Sequence, residues 1–137
     1  MAAVGNTKGR SEFAVLAKAK SLGSYVFEVT GKSPKKFRGT SVYRLQDLSL
    51  GVVEGIYRAN AIRIVHDDGP SAHGVHQRAQ LQDSAILDLK TLCYLSMLAA
   101  EQGCLLFKQY ECISKQADEV SRLLFSWSKS DRRRYGG

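Results

Sequence analysis

Positively charged side chains are concentrated in one short stretch of the chain, residues 33–44. Lys35, Lys36 and Arg38 follow Pro34 and precede Arg44, and no acidic residue lies among them. Clustered lysine and arginine side chains bind anionic partners such as nucleic acid or an acidic protein surface. The whole chain carries a formal net charge of +7, which favours the same kind of partner. A charge that serves only solubility is the alternative interpretation.

Further cations lie along the last predicted helix, where Lys108, Lys115, Arg122 and Lys129 recur every seven residues. They form a basic stripe roughly 30 Å long on one helix face. An acidic residue stands four positions before Lys115 and before Arg122, which is also the pattern of ordinary intrahelical ion pairs. The full set of candidate anion-binding residues is Lys32, Lys35, Lys36, Arg38, Arg44, Arg58, Arg63, Lys108, Lys115, Arg122, Lys129, Arg132, Arg133 and Arg134.

Motifs of catalysis and of metal binding are missing from the sequence. It has no glycine-rich phosphate loop, nucleophile elbow or zinc-protease motif, so we expect no enzyme activity and no cofactor. The three cysteines, Cys93, Cys104 and Cys112, have no CxxC spacing and are expected to be reduced. The polar stretch His66–His76 is predicted to be a long loop, and its histidines match no compact metal-binding spacing.

Four amphipathic segments must position these side chains. Their predicted bounds are Ser11–Thr30, Thr40 or Ser41 to Val65, Gln77–Gln102 and Lys108–Ser130. Apolar residues recur at spacings of three and four in each segment, as in helices that pack lengthwise against one another. The predicted seams contain Val15, Leu22, Val26 and Val29, widened by Phe13, Leu16, Tyr25 and Phe27; Val42, Leu45, Ser49, Val52, Ile56 and Ala59; Leu81, Ala85, Asp88, Leu92, Leu95 and Ala99; and Leu106, Tyr110, Ile113, Ala117, Val120, Leu124 and Trp127.

Long periodic segments and only two prolines predict an all-α protein, an antiparallel up-down-up-down four-helix bundle. Residues 1–10 are expected to be a flexible leader, residues 11–131 the bundle and residues 132–137 a fraying basic tail. In this topology the first and third connections share one end, which brings Lys32, Lys35, Lys36 and Arg38 near Lys108. The histidine loop and the arginine tail lie at the other end.

Two glycines, Gly51 and Gly55, stand four residues apart inside the second predicted helix. Each costs about 1 kcal/mol relative to alanine, which indicates close approach of another helix or subunit. Tolerated surface glycines are the alternative. The sequence contains no secretory signal and no apolar run long enough for a membrane span, so we expect a cytoplasmic protein without a membrane partner.

Two stretches carry a family resemblance, SPKKFRGTSVYRLQDLSLGVVEGIYRAN and LCYLSMLAAEQGCLLFKQYECISKQADEVSRLLFSWSKSDRRR. The chain from Phe13 to Arg134 resembles the bacterial four-helix-bundle proteins that include the accessory variability determinant proteins of diversity-generating retroelements. The resemblance implies a homopentameric barrel without catalytic residues. It also implies binding to the retroelement's reverse transcriptase and to its template RNA, or to a hybrid of that RNA with cDNA or DNA. Such binding supports mutagenic cDNA synthesis. Lys35, Lys36, Arg38 and Arg44 match the basic corner of that family.

Other functions fit the same sequence. A sister branch of the family is encoded in intervening sequences of 23S ribosomal RNA genes. A basic scaffold that binds an acidic protein partner and never contacts nucleic acid is the second hypothesis. A bundle that binds a metal or small molecule is the third.

Overall fold

Four long helices make up nearly all of the structure. The structure is a computed structural model that describes residues 7–136, with side chains described for residues 13–136. The elements are α1 (Thr7–Thr30), α2 (Tyr43–Ala61), β1 (Val65–His66), β2 (Gly69–Pro70), α3 (Ala72–Glu101) and α4 (Phe107–Tyr135). The all-α prediction is confirmed. Helix α1 begins at Thr7, four residues before the predicted Ser11, and residues 1–6 of the predicted leader lie outside the described residues.

The helices form an antiparallel four-helix bundle. Each helix packs against the next one in the chain, and α1 packs against α4 to close the ring. Gln46 Nε2 donates to Thr30 Oγ1 at 3.0 Å, which joins the end of α1 to the beginning of α2. Lys18 Nζ lies 3.3 Å from Glu119 Oε2 across α1 and α4. No helix within residues 7–136 has both the length and the apolar character that crossing a bilayer requires.

The core lies along the predicted seams most completely in α2 and least completely in α3, where three of the six predicted residues, Leu81, Asp88 and Leu95, are only half-buried. All six seam residues of α2 are buried, and so are Ile113, Ala117, Val120, Leu124 and Trp127 of α4. Leu106 is 57% exposed and does not belong to the α4 seam. In α1 the predicted core face is too wide, because Phe13 is 75% and Phe27 is 42% exposed. Their direction toward solvent leaves a narrower apolar stripe on α1.

The second connection is a β-hairpin followed directly by helix, and the prediction of a loop through His76 is wrong. Val65 pairs with Pro70 and His66 with Gly69 in an antiparallel register. Gly69 has a φ of 108°, a conformation that glycine adopts without strain. Ser71 then caps α3 by accepting a hydrogen bond from the Gly74 N–H at 3.1 Å. The cap explains why α3 begins at Ala72, five residues before the predicted Gln77. Helix α2 ends at Ala61 and not at the predicted Val65.

The two interior glycines of α2 face α3, as the interpretation of close helix approach predicted. A methyl group added at Gly55 would lie 3.7 Å from Ala85 Cβ, an ordinary contact. One added at Gly51 would lie 3.3 Å from Asp88 Oδ2, which is tight. The glycines therefore sit at the α2–α3 interface within one chain.

Candidate nucleic-acid interface

The basic segment between α1 and α2 is built from two tight turns. A 3₁₀ turn spans Lys35–Phe37, and a single π-helical turn spans Arg38–Val42 and continues into α2. Helix α2 begins at Tyr43, after the predicted Thr40 or Ser41, and no side chain caps its start. Phe37 is half-buried and packs against the core. Its burial anchors the turns and leaves Lys35, Lys36 and Arg38 exposed.

A hydrogen bond joins this segment to the connection between α3 and α4. Ser33 Oγ donates to the Cys104 carbonyl oxygen at 2.7 Å, although 71 residues separate them in the chain. Cys104 and Leu105 are buried beneath the contact. The first and third connections therefore meet at one end of the bundle, as predicted, and Lys108 at the start of α4 belongs to that end.

We call this end the corner end and define it by five exposed cations, Lys32, Lys35, Lys36, Arg38 and Lys108. Among the side chains of residues 13–136, no carboxylate forms an ion pair with any of them. Lys36 Nζ lies 5.3 Å from the centroid of the Phe37 ring, a cation–π distance. The corner end is thus a concentrated positive charge that local acids do not neutralise.

The three other arginines predicted for this region are engaged locally. Arg44 pairs with Asp47 at 3.7 Å, and Arg58 pairs with Glu54 at 3.0 Å. Arg63 Nε donates to the Val65 carbonyl oxygen at 3.1 Å. All three side chains are exposed, so these contacts hold them only weakly. They are not part of the unpaired cluster at the corner end.

The basic stripe on α4 is present, and one of the two ion pairs that the spacing of its acidic residues predicts is formed. Lys108, Lys115, Arg122 and Lys129 are all exposed. Arg122 pairs with Asp118 at 2.9 Å. In the described part of the chain Lys115 forms no ion pair with Glu111, which corrects the expectation of a second pair. The stripe therefore keeps more accessible positive charge than the spacing of acids predicted.

Helix α4 does not end at the predicted Ser130 but continues to Tyr135. Arg132, Arg133 and Arg134 lie within α4 and are exposed. Asp131, directly before them, is 7% exposed and is fixed by residues of α3. The fixed carboxylate explains why the helix continues to Tyr135. These arginines lie at the opposite end from the corner end, as predicted.

Arg78 and Asp131 form a buried ion pair that the sequence analysis missed. Arg78 Nε and NH2 donate to the two Asp131 oxygens at 2.8 and 2.7 Å, and Gln82 Nε2 donates to Asp131 Oδ2 at 3.1 Å. The Arg78 guanidinium also lies 5.3 Å from the ring centre of Trp127 and 6.0 Å from that of Tyr135. This bidentate geometry fixes α4 against α3.

A sequence signal for this pair exists. Arg78 and Gln82 extend the three-and-four spacing of α3 toward the start of the helix. Arg78, Gln82, Ala85 and Leu89 follow one another at steps of four, three and four residues. Asp131 continues the α4 seam four residues beyond Trp127. Opposite charges at the polar ends of two seams that meet in an antiparallel bundle are complementary. To predict that these side chains are buried, one must know the relative register of α3 and α4, which the sequence alone does not give.

The corner end also carries an exposed aromatic ring. Phe107 is the first residue of α4 and is 60% exposed, directly before Lys108. Its ring contacts the Tyr110 ring edge-on, with centroids 5.3 Å apart and planes at 68°. The sequence analysis assigned Tyr110 to the core and did not single out Phe107. Tyr110 is only half-buried, so both rings are accessible in the first turn of α4, where Lys108 lies.

Two open grooves lie elsewhere on the bundle. One of about 990 Å³ crosses α2 and is bordered by apolar side chains together with Lys20, Arg44, Asp47 and Asp88. Burial raises the pKa of Asp88, and the nearby positive charge of Arg44 opposes that rise. The other, of about 500 Å³, lies between α3 and α4 beside Cys93, whose pKa is also raised by burial. Within residues 13–136 no three histidine, cysteine or acidic side chains converge as metal ligands.

The comparisons with known proteins add no relative. No protein-family model, no curated protein and no solved structure matches this chain.

Proposed function

We propose that this chain is a non-catalytic accessory subunit that binds nucleic acid through the corner end. The supporting observation is the cluster of five exposed cations that lack ion-pair partners among the described side chains. Exposed cations without neighbouring carboxylates bind phosphates and release the counterions that phosphates hold. Such contacts fix the position of a strand without reading its sequence.

The resemblance to the accessory proteins of diversity-generating retroelements gives the proposal its biological setting. In that setting the partners are the retroelement's reverse transcriptase and its template RNA, and the protein supports mutagenic cDNA synthesis. The basic stripe on α4 and the arginines at the opposite end are additional surfaces for the same partners. The 23S ribosomal RNA branch of the family remains the alternative setting for the same RNA-binding chemistry.

We also propose that copies of the chain assemble, as the family's pentameric barrel implies. Tyr43, Leu50 and Tyr57 recur every seven residues along α2 and are 61%, 54% and 63% exposed. Seven-residue spacing places them on one face of the helix. An exposed apolar stripe of this kind marks an interaction surface. Assembly would repeat the corner end and increase the avidity for a long strand.

The test is RNA binding by the full chain as a function of salt, measured by fluorescence anisotropy. Five phosphate contacts with single-stranded RNA predict that log K falls with log salt at a slope of about −3.5. Replacing Lys35, Lys36 and Arg38 with glutamate should abolish binding and leave helicity intact. The matched control replaces Lys18, Lys20 and Lys90, three exposed cations outside the candidate set, with glutamate and should keep most of the binding.

Equal loss in both triple variants would show that net charge, and not the corner end, governs binding, and would contradict the proposal. Co-purification with the candidate reverse transcriptase and template RNA, with mass by light scattering, tests the setting. A complex that holds about five copies is the expected result. An oligomer that ignores RNA but binds an acidic protein would favour the scaffold hypothesis.

A further inference from the structure

Phe107 is presented to solvent in a fixed orientation. The Leu106 N–H donates to Gln109 Oε1 at 2.8 Å, and the Leu106 carbonyl accepts from the Gln109 and Tyr110 N–H groups at 3.0 and 3.2 Å. These bonds define the first turn of α4, and the edge contact with Tyr110 supports the ring. A single exposed apolar side chain is ordinary on a protein surface. The distinguishing feature is that this ring directly precedes Lys108, at the end of the bundle that carries the unpaired cations.

The ring and the cations lie within reach of one short strand. Lys108 directly follows Phe107. The Ser33–Cys104 hydrogen bond joins the two connections. Lys36 lies three residues after Ser33, and Phe107 lies three residues after Cys104. Three residues of chain span at most about 11 Å, so both residues lie close to this hydrogen bond. A strand that crosses this end can therefore contact phosphate-binding side chains on both connections and the aromatic ring directly before Lys108.

We propose that the corner end binds single-stranded nucleic acid, with one unpaired base stacked on Phe107 and its flanking phosphates on Lys36 and Lys108. This inference rests on the proposed function and specifies its ligand. A duplex hides its base faces within its own stack, so it offers the cations phosphates but offers the ring nothing. A single strand offers both, and stacking tolerates any base because every base has an aromatic face.

The experiment compares an unstructured RNA of about 12 nucleotides, a length typical of single-strand sites, with the same strand annealed to its complement. Binding of Phe107→Leu is measured by anisotropy at several salt concentrations. Loss of one stacked base should weaken single-strand binding about 5- to 150-fold. The salt slope and the duplex affinity should stay the same, because Leu removes no charge.

Two further variants separate stacking from other effects. Phe125→Leu changes an equally apolar residue of α4 that is 52% exposed and lies in the groove with α3, so it should bind like the wild type. Phe107→Trp keeps an aromatic face and should restore the affinity. Its added indole fluorescence should be quenched when single-stranded RNA binds, whereas Trp127 is 2% exposed and should respond little.

The outcomes distinguish this inference from the function on which it rests. If the wild type binds RNA and Phe107→Leu binds it equally well, the stacking inference fails and the corner end remains a phosphate site. Tighter binding of the duplex than of the single strand overturns the inference as well. A changed oligomer mass for Phe107→Leu would assign the ring to an interface between copies. If the wild type binds neither RNA at low salt, the proposed function itself fails.

Discussion

The buried Arg78–Asp131 pair allows a sharp test of what holds α4 against α3. In Asp131→Asn one side-chain oxygen becomes an NH2 group of nearly the same size, so packing is preserved while the charge is lost. Asp131 Oδ2 accepts from both Arg78 Nε and Gln82 Nε2. Arg78 NH2 donates to the other oxygen, Oδ1. Because an asparagine has only one acceptor oxygen, at least one of these three donors must lose its partner. Arg78, 3% exposed, would keep its charge with no opposite charge beside it.

Removing one partner of a buried ion pair costs about 3–5 kcal/mol. Asparagine keeps one acceptor, so we expect the low end, about 3 kcal/mol of unfolding free energy. With an unfolding entropy of about 2.1 cal/mol/K per residue, this chain should lose about 10 °C in Tm. The last turn of α4, with its three arginines, should also show faster amide hydrogen exchange.

Unfolding would be followed by far-UV circular dichroism and by the fluorescence of Trp127, the only tryptophan in the chain. Asp118→Asn is the matched control, because it makes the same substitution on α4 in the exposed Arg122 pair. It should cost less than about 1 kcal/mol. Combining Arg78→Met and Asp131→Leu with Gln82→Leu, which leaves none of the three buried donors without an acceptor, should recover most of the lost stability. Equal effects of Asp131→Asn and Asp118→Asn would refute the reasoning.

Two more predictions concern stability. Gly55→Ala should raise the unfolding free energy by about 0.5–1 kcal/mol, because the new methyl group meets Ala85 at an ordinary contact distance and alanine favours helix. Chemical denaturation measures this free energy. A loss of stability would contradict the spacing between α2 and α3. Burial, followed by hydrogen bonding to Cys112, raises the pKa of Tyr25 to about 12. The unfolded chain therefore loses this phenol proton first, so stability is full below pH 10 and falls as pH rises toward 12. Tyr25→Phe should reduce that fall and remove a component that titrates near pH 12 from the ultraviolet absorbance titration. An unchanged titration would exclude the assignment.

The parts of the fold that the sequence predicted are those governed by a repeating local pattern. The seam from Val42 to Ala59 is wholly buried because a three-and-four spacing places its residues on one helix face, whatever the helix packs against. The shared end of the first and third connections followed from topology alone. Both inferences needed helix number and direction only.

The parts that were missed depend on partners distant in the chain. Burial of Arg78 depends on Asp131, 53 residues later, and neither side chain alone indicates the other. Phe27 was assigned to the core by its apolar character, but 42% of it is exposed because the bundle covers a narrower stripe of α1. Helix α3 starts early because Ser71 caps it. Gly69 and Pro70, directly before Ser71, are typical loop residues and favoured the prediction of a longer loop. At the candidate site the cations were predicted, while their lack of ion pairs and the exposed Phe107 required the structure.

The π-helical turn at Arg38–Val42 has a consequence for how the bundle can diversify. Its hydrogen bonds span five residues where an α-helix spans four, so the turn holds one residue more than regular helix would. Deleting one residue there can be absorbed by conversion to α-helix, with the seam of α2 unmoved. The extra residue is accommodated within the turn itself, so the helices on either side of the turn would keep their positions. A chain with one residue fewer at this turn would therefore keep the same core, and only the exposed basic segment between α1 and α2 would become shorter.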